Sequence, residues 1–204
     1  MKLASHNSFS YLPVRKWWMK LFAWAARCQQ ETITMQYLKG ARMFDLRLRF
    51  DESKGYFSRP YICHGLIEYK TAWSEIYDIL DMLNERGDCY LRMVLETKKH
   101  DIGQEENFRL WCKCFQAQYK NIVFLGGNNR TDWLAKNPIY DFGNPMEDID
   151  HQYASATSRF MKGPFWLRYL DDLYPKGYAK RYNFINRTIG TRHAWLMLDF
   201  VDIQ

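Results

Sequence analysis

The stretch Ala41-Arg42-Met43-Phe44-Asp45-Leu46-Arg47-Leu48-Arg49-Phe50 decides the fold. Its residues alternate, as in a β-strand, where successive side chains point to opposite faces. Phe44, Leu46, Leu48 and Phe50 form one face, and Asp45, Arg47 and Arg49 form the other. Two explanations of the charged face compete. In one, the strand is antiparallel and half exposed, with its charges in water. In the other it is a parallel strand, which normally buries both faces, and its charges are kept because they carry chemistry.

Outward from this strand, apolar periodicity predicts further strands over Lys2–Ser5, Cys89–Thr97, Asn121–Leu125 and Ala194–Val201. It predicts helices over Val14–Cys28, Ala72–Arg86 and Gln104–Tyr119, with another around Pro175–Asn186 ahead of the last strand. Strands and helices alternate. That order calls for parallel strands joined by crossover helices, in an open doubly wound sheet or a closed barrel. Between Gly126 and His193 the patterns are broken by Gly126-Gly127 and by Pro138, Pro145, Pro164 and Pro175.

Length and composition agree with one domain spanning 1–204. The chain has 204 residues, 47% of them hydrophobic and 17% aromatic, enough to bury a core. Its net charge of +6 favours an anionic partner without choosing one. No basic recognition helix or single-strand stacking motif stands out, so no specific nucleic-acid partner is expected. The five cysteines, Cys28, Cys63, Cys89, Cys112 and Cys114, lack the C-x-x-C spacing of a zinc site and read as reduced thiols. No apolar run approaches the ~20 residues of a membrane span, and MKLASHNSFS has no apolar signal region. The chain as it stands is expected in the cytoplasm, with secretion or attachment to an assembly left open.

The charged strand is not isolated. Cys89–Thr97 places Arg92 and Glu96 on one face and Leu91, Met93 and Leu95 on the other, and Asp199 interrupts the apolar run Ala194–Val201. Charges near the C-terminal ends of parallel strands are what a barrel enzyme needs, because its site is built at that rim. His6, just after the first strand, and His64, in Cys63-His64-Gly65, complete the set. Two imidazoles beside Arg47 suit a phosphate ester: one takes a proton from the attacking hydroxyl, the other protonates the leaving oxygen. The guanidinium supplies paired donors to the nonbridging oxygens.

Ser5-His6-Asn7-Ser8, Gly40-Ala41-Arg42-Met43-Phe44-Asp45-Leu46-Arg47, His64-Gly65, Val94-Leu95-Glu96 and Leu198-Asp199-Phe200, in this order and spacing, resemble the phosphatidylinositol-specific phospholipase C family. The likeness is to its X-type catalytic domain, in a short bacterial or phage-like form. It covers about the first hundred residues and the final strand. It implies a distorted TIM-type (β/α) barrel, complete or lacking strands. It further implies cleavage of an inositol phospholipid or glycerophosphoinositol by attack of the neighbouring 2-hydroxyl, through a cyclic phosphate. In that scheme His6 is the general base, His64 the general acid, Asp199 the carboxylate that orients His6, and Arg47 the phosphate clamp.

The sequence departs from both branches of that family. Asn7, Asp45 and Glu96 resemble ligands of the metal-dependent branch and could offer oxygens to Ca2+ or another divalent cation. Arg47 stands where that branch has its fourth ligand, which favours a site without a metal cofactor. The metal-independent branch has the arginine but usually Asp at the position of Asn7 and Lys at that of Glu96. Asp45 and Glu96 would then pair with Arg47 and Arg92 and hold the guanidinium fork.

Other features say less. Trp17 and Trp18, among Arg15, Lys16, Lys20, Leu21, Phe22 and Trp24, read either as a lipid-interface segment making peripheral membrane contact or as the core face of an outer helix. Gly126-Gly127-Asn128-Asn129-Arg130 reads as a phosphate-facing loop or a plain turn, and Tyr and Arg residues between Tyr153 and Tyr182 as a polyol-binding wall. The expectation is a phosphodiesterase acting on a phospholipid or glycerophosphodiester. The alternative is a catalytically silent barrel serving as a binding or structural module in a larger assembly.

Overall fold

A computed structural model describes residues 2–51, 58–96, 102–126, 142–144, 149–152, 175–190 and 192–203. The expected loop at 127–130, most of the wall between 153 and 182, and Thr97 lie outside the described residues. The strands are β1 (Lys2–Ser5), β2 (Ala41–Arg49), β3 (Tyr61–His64), β4 (Ile67–Glu68), β5 (Tyr90–Leu95), β6 (Val123–Gly126), β7 (Ile149–Gln152) and β8 (Trp195–Leu198). The helices are α1 (Ala23–Ala26), α2 (Ile33–Leu38), α3 (Trp73–Arg86), α4 (Ile102–Gln118) and α5 (Pro175–Ile189).

Six strands run parallel in the order β7-β8-β1-β2-β5-β6, so chain order winds once around the sheet as in a (β/α) barrel. Among the described residues the sheet is not closed, because β6 and β7 do not pair. The fold is a distorted barrel. One edge of β2 carries β5 from Met43 to Leu48; the other carries β1 as far as Phe44 and then β3, antiparallel, at Leu48 and Arg49. The β3-β4 hairpin therefore occupies the edge that β1 leaves free, and it brings His64 to the C-terminal end of β2.

Alternation along the strands sorts the side chains into two layers. Leu3, Phe44, Leu46, Leu48, Leu91, Met93, Leu95, Phe124, Leu196 and Leu198 join the main core, against Ile33 of α2, Ile76, Leu80 and Leu83 of α3, and Phe108, Cys112 and Phe115 of α4. The inner face starts as a separate apolar tier of Ala4, Met43, Leu125, Trp195 and Met197. Two residues further along these strands come His6, Asp45 and Asp199, then Arg47, so polarity rises toward the C-terminal rim. Asp45 is 0% exposed and Arg47 3%, which removes the half-exposed antiparallel reading of β2.

α3 forms where expected because Trp73, Ile76, Leu80 and Leu83 recur at helical spacing and are all buried, a burial worth ~1.5–3 kcal/mol per large side chain. It ends at Gly87, whose φ of 70° is the left-handed cap that glycine adopts without strain. α5 is longer than expected, running on to Ile189.

The expected helix over Val14–Cys28 is not there. A short 3-10 turn at Trp17–Leu21 leads into α1, and the chain is extended by Arg27. The cause is legible: apolar residues surround this segment on every side, so no single stripe can face the core, and only Met19 of the turn is buried. Trp17 is 78% exposed and Trp18 41%, which overturns the core reading of both. α2, capped by the Thr32 hydroxyl accepting from the Met35 amide at 3.4 Å, was not expected; nor were β3, β4 and β7.

Candidate active site

His6 follows β1 and is 2% exposed. Its backbone amide donates to the Leu198 carbonyl (3.0 Å), its own carbonyl accepts from the Gln29 side chain (3.1 Å), and its Nδ1 lies 2.6 Å from Asp199 Oδ1. On the other side, Arg47 Nη2 lies 2.9 Å from His6 Nε2. A guanidinium can only donate, so these partners assign the tautomer: Nδ1–H donates to Asp199, and Nε2 presents a lone pair. Burial is the largest cause of a lowered His6 pKa; Asp199 opposes it and Arg47 adds to it.

Arg47 is the hub. Its Nε donates to Asp45 Oδ2 at 2.8 Å and its Nη1 to Glu96 Oε2 at 3.3 Å, while Nη1 also lies 3.3 Å from His64 Nδ1. Asp45 reaches Arg92 Nη1 with its other oxygen at 3.2 Å, the two residues being register partners across β2 and β5. Burial would raise the Asp45 carboxyl, but Arg47 and Arg92 outweigh it and hold the group well below the usual carboxylate range. For Glu96 burial again opposes ionisation; His64, Arg47 and the Gly65 amide together keep it far below its ordinary value.

His64 ends β3, its side chain 21% exposed, with Nδ1 3.6 Å from Glu96 Oε2. Gly65 donates its amide to Glu96 Oε1 from a φ of 56°, a left-handed backbone that strains any other L-residue. The two imidazole centroids lie 5.5 Å apart with planes at 89°. Asn7 takes a φ of 43°, which turns its amide onto Asp45 Oδ2 at 3.1 Å. Its side-chain nitrogen faces Cys28 Sγ at 4.0 Å.

His6, His64, Arg47 and Asp199 thus converge at one rim, with Asp45, Glu96, Arg92 and Asn7 around the guanidinium. Trp17 and Trp18 lie outside this cluster. Sequence reading missed Cys28, which shares the site with the two histidines, and the buried glutamines behind it. Gln29 donates to the carbonyls of His6 and Leu198, both at 3.1 Å, and Gln36 donates to the Ser8 carbonyl at 2.8 Å. Neither Gln29, in a loop, nor Gln36, on the short α2, belongs to an apolar pattern, so nothing in the sequence singled them out.

No protein-family model matches the sequence, and no curated protein matches it. What fold and site define is a distorted (β/α) barrel with a paired-imidazole site at the C-terminal ends of its strands. Among solved structures it has the fold of bacterial phosphatidylinositol-specific phospholipase C. It superimposes on the Listeria monocytogenes enzyme with a TM-score of 0.58 at 15% identity, covering 98% of this chain and 87% of that one. Against the S. aureus enzyme the TM-score is 0.57 at 16% identity, covering 98% of this chain and 85% of that one.

Proposed function

We propose that this protein is a phosphodiesterase of the phospholipase C type, acting on an inositol phospholipid or glycerophosphoinositol. The observation that carries this reading is the position of Arg47, whose guanidinium nitrogens meet His6 Nε2 at 2.9 Å and His64 Nδ1 at 3.3 Å. A phosphate held on that fork would lie between a base and an acid. His6 Nε2 accepts the proton of the ring 2-hydroxyl as its oxygen attacks phosphorus, and Asp199 stabilises the resulting imidazolium. His64 gives its proton to the departing glycerol oxygen as the P–O bond breaks, leaving a cyclic phosphate and diacylglycerol. Arg47 offsets the charge that builds on the nonbridging oxygens.

Calcium does not fit the residues that resemble its ligands. Both oxygens of Asp45 are taken by guanidinium groups, and Arg47 also holds Glu96. A hard cation there would find the carboxylate oxygens it needs already engaged by guanidinium donors. The structural neighbours support a lipid substrate, membrane binding being a named property of the S. aureus enzyme. The exposed Trp17, Trp18, Leu21, Phe22 and Trp24, with Arg15, Lys16 and Lys20 among them, form the surface we assign to peripheral membrane contact.

Phosphorus NMR of phosphatidylinositol incubated with the protein tests the reading. The expected product is a five-membered cyclic phosphate that still forms in excess chelator. Product lost with chelator overturns the metal-free site. A folded protein that turns over no inositol phospholipid or glycerophosphoinositol overturns the enzyme.

A further inference from the structure

Cys28 has no part in that chemistry, yet the fold holds it firmly in the site. Its amide donates to Ser10 Oγ at 3.0 Å, and its carbonyl accepts from the Phe200 amide at 2.6 Å, directly after Asp199. One donor atom from each of His6, Cys28 and His64 lies within 4.8 Å of the other two. Tetrahedral zinc, with ligands at ~2.0–2.3 Å, spaces its donors about 3.4–3.8 Å apart. Closing the difference takes a movement of roughly 1 Å, and His64, partly exposed on its hairpin, is the ligand free to make it.

Charge favours a cation here even though Arg47 is close. Asp45 and Glu96 face Arg47 and Arg92, and Asp199 faces His6, so with neutral imidazoles these side chains sum to one negative charge. Asn7 adds a second pointer. Its Oδ1 is fully buried without a hydrogen-bond partner, and its amide nitrogen faces Cys28 Sγ. Two imidazoles and a thiol are the donor set of a soft or borderline divalent ion and a poor one for calcium.

We propose that His6, Cys28 and His64 form a site for a soft divalent cation, zinc foremost, whose occupancy blocks the two imidazoles. Binding forms two metal–nitrogen bonds and one metal–sulfur bond and releases the thiol proton to solvent; the Arg47 contact to His6 Nε2 is given up, and water completes the tetrahedron. The ion inhibits because it occupies the lone pair that takes the substrate proton. That consequence rests on the function proposed above; the binding does not.

Cobalt titration of chelator-treated protein tests the site directly. A Cys114→Ser background removes the exposed thiol from the readout. The expected result is a thiolate-to-cobalt charge-transfer absorption that saturates at one equivalent and is erased by zinc. Cys28→Ser abolishes the band. His64→Ala weakens binding by more than the ~10–100-fold typical of losing an outer-shell partner. His64→Ala keeps the test decisive if Cys28→Ser fails to fold by circular dichroism. Absence of the band, its persistence in folded Cys28→Ser, or unchanged affinity in His64→Ala overturns the site. A cobalt band in a protein without phosphodiesterase activity retains the site and rejects only the inhibitory role.

Discussion

Arg47 holds Asp45 through Nε, meets Glu96 and His64 through Nη1 and meets His6 through Nη2, so one guanidinium ties the acids of the site to its two imidazoles. Asp45 fixes the Nε edge, and in the proposed reaction it is the Nη atoms, now turned to Glu96, His64 and His6, that would meet phosphate. Arg47→Lys is therefore expected to cut turnover severely, because an ammonium cannot hold Asp45 and present paired donors at once. His6→Ala and His64→Ala should each lower turnover by about 10²-fold or more with the fold intact. Initial rates on phosphatidylinositol check all three. Asp45→Ala is a stability defect first: it strands two buried guanidiniums, and breaking a buried pair costs about 3–5 kcal/mol. Asp88→Ala, which breaks an exposed pair with Arg42, should cost no more than ~1 kcal/mol. Urea unfolding of the two variants measures the contrast.

At the scale of elements, the aromatic segment and the hairpin are where the described structure departs from the sequence reading. The 3-10 turn and α1 leave Trp17, Trp18, Leu21, Phe22 and Trp24 in solvent beside three basic residues. Trp17→Ala/Trp18→Ala should lose most sedimentation with anionic vesicles while hydrolysis of a soluble glycerophosphoinositol is kept; unchanged lipid binding in the folded variant excludes the segment from the interface. Strands β1, β2, β5 and β8 were legible because alternation and burial coincide there, down to the charges at their C-terminal ends. The break after Leu21 was not, because an all-round apolar segment satisfies a helical template without saying which side is buried. Nor was the hairpin, whose register depends on the β2 edge that β1 vacates and so on the tertiary fold. His64 was found by its residue type and the glycine after it, and Cys28 was passed over because its neighbours come from distant parts of the chain.

For the molecule as a whole, His6, Asp45 and Glu96 act in one direction as pH falls. His6 has a lowered pKa, so the unfolded chain, titrating near 6.5, takes up this proton first and stability falls as pH drops below about 6.5. Asp45 and Glu96 are depressed. Their contribution is full above the unfolded carboxylate range near 4 and is lost as pH falls through and below it. The urea midpoint should decline from pH 7 to 5.5 and more steeply below 4.5; a flat profile would contradict the buried charge cluster.

The apolar tier of Ala4, Met43, Leu125, Trp195 and Met197 packs beneath these charges. A substrate reaching His6 and His64 would then meet the polar rim above that tier. On the proposed function, the membrane that delivers the substrate would also have to receive the greasy half of the product.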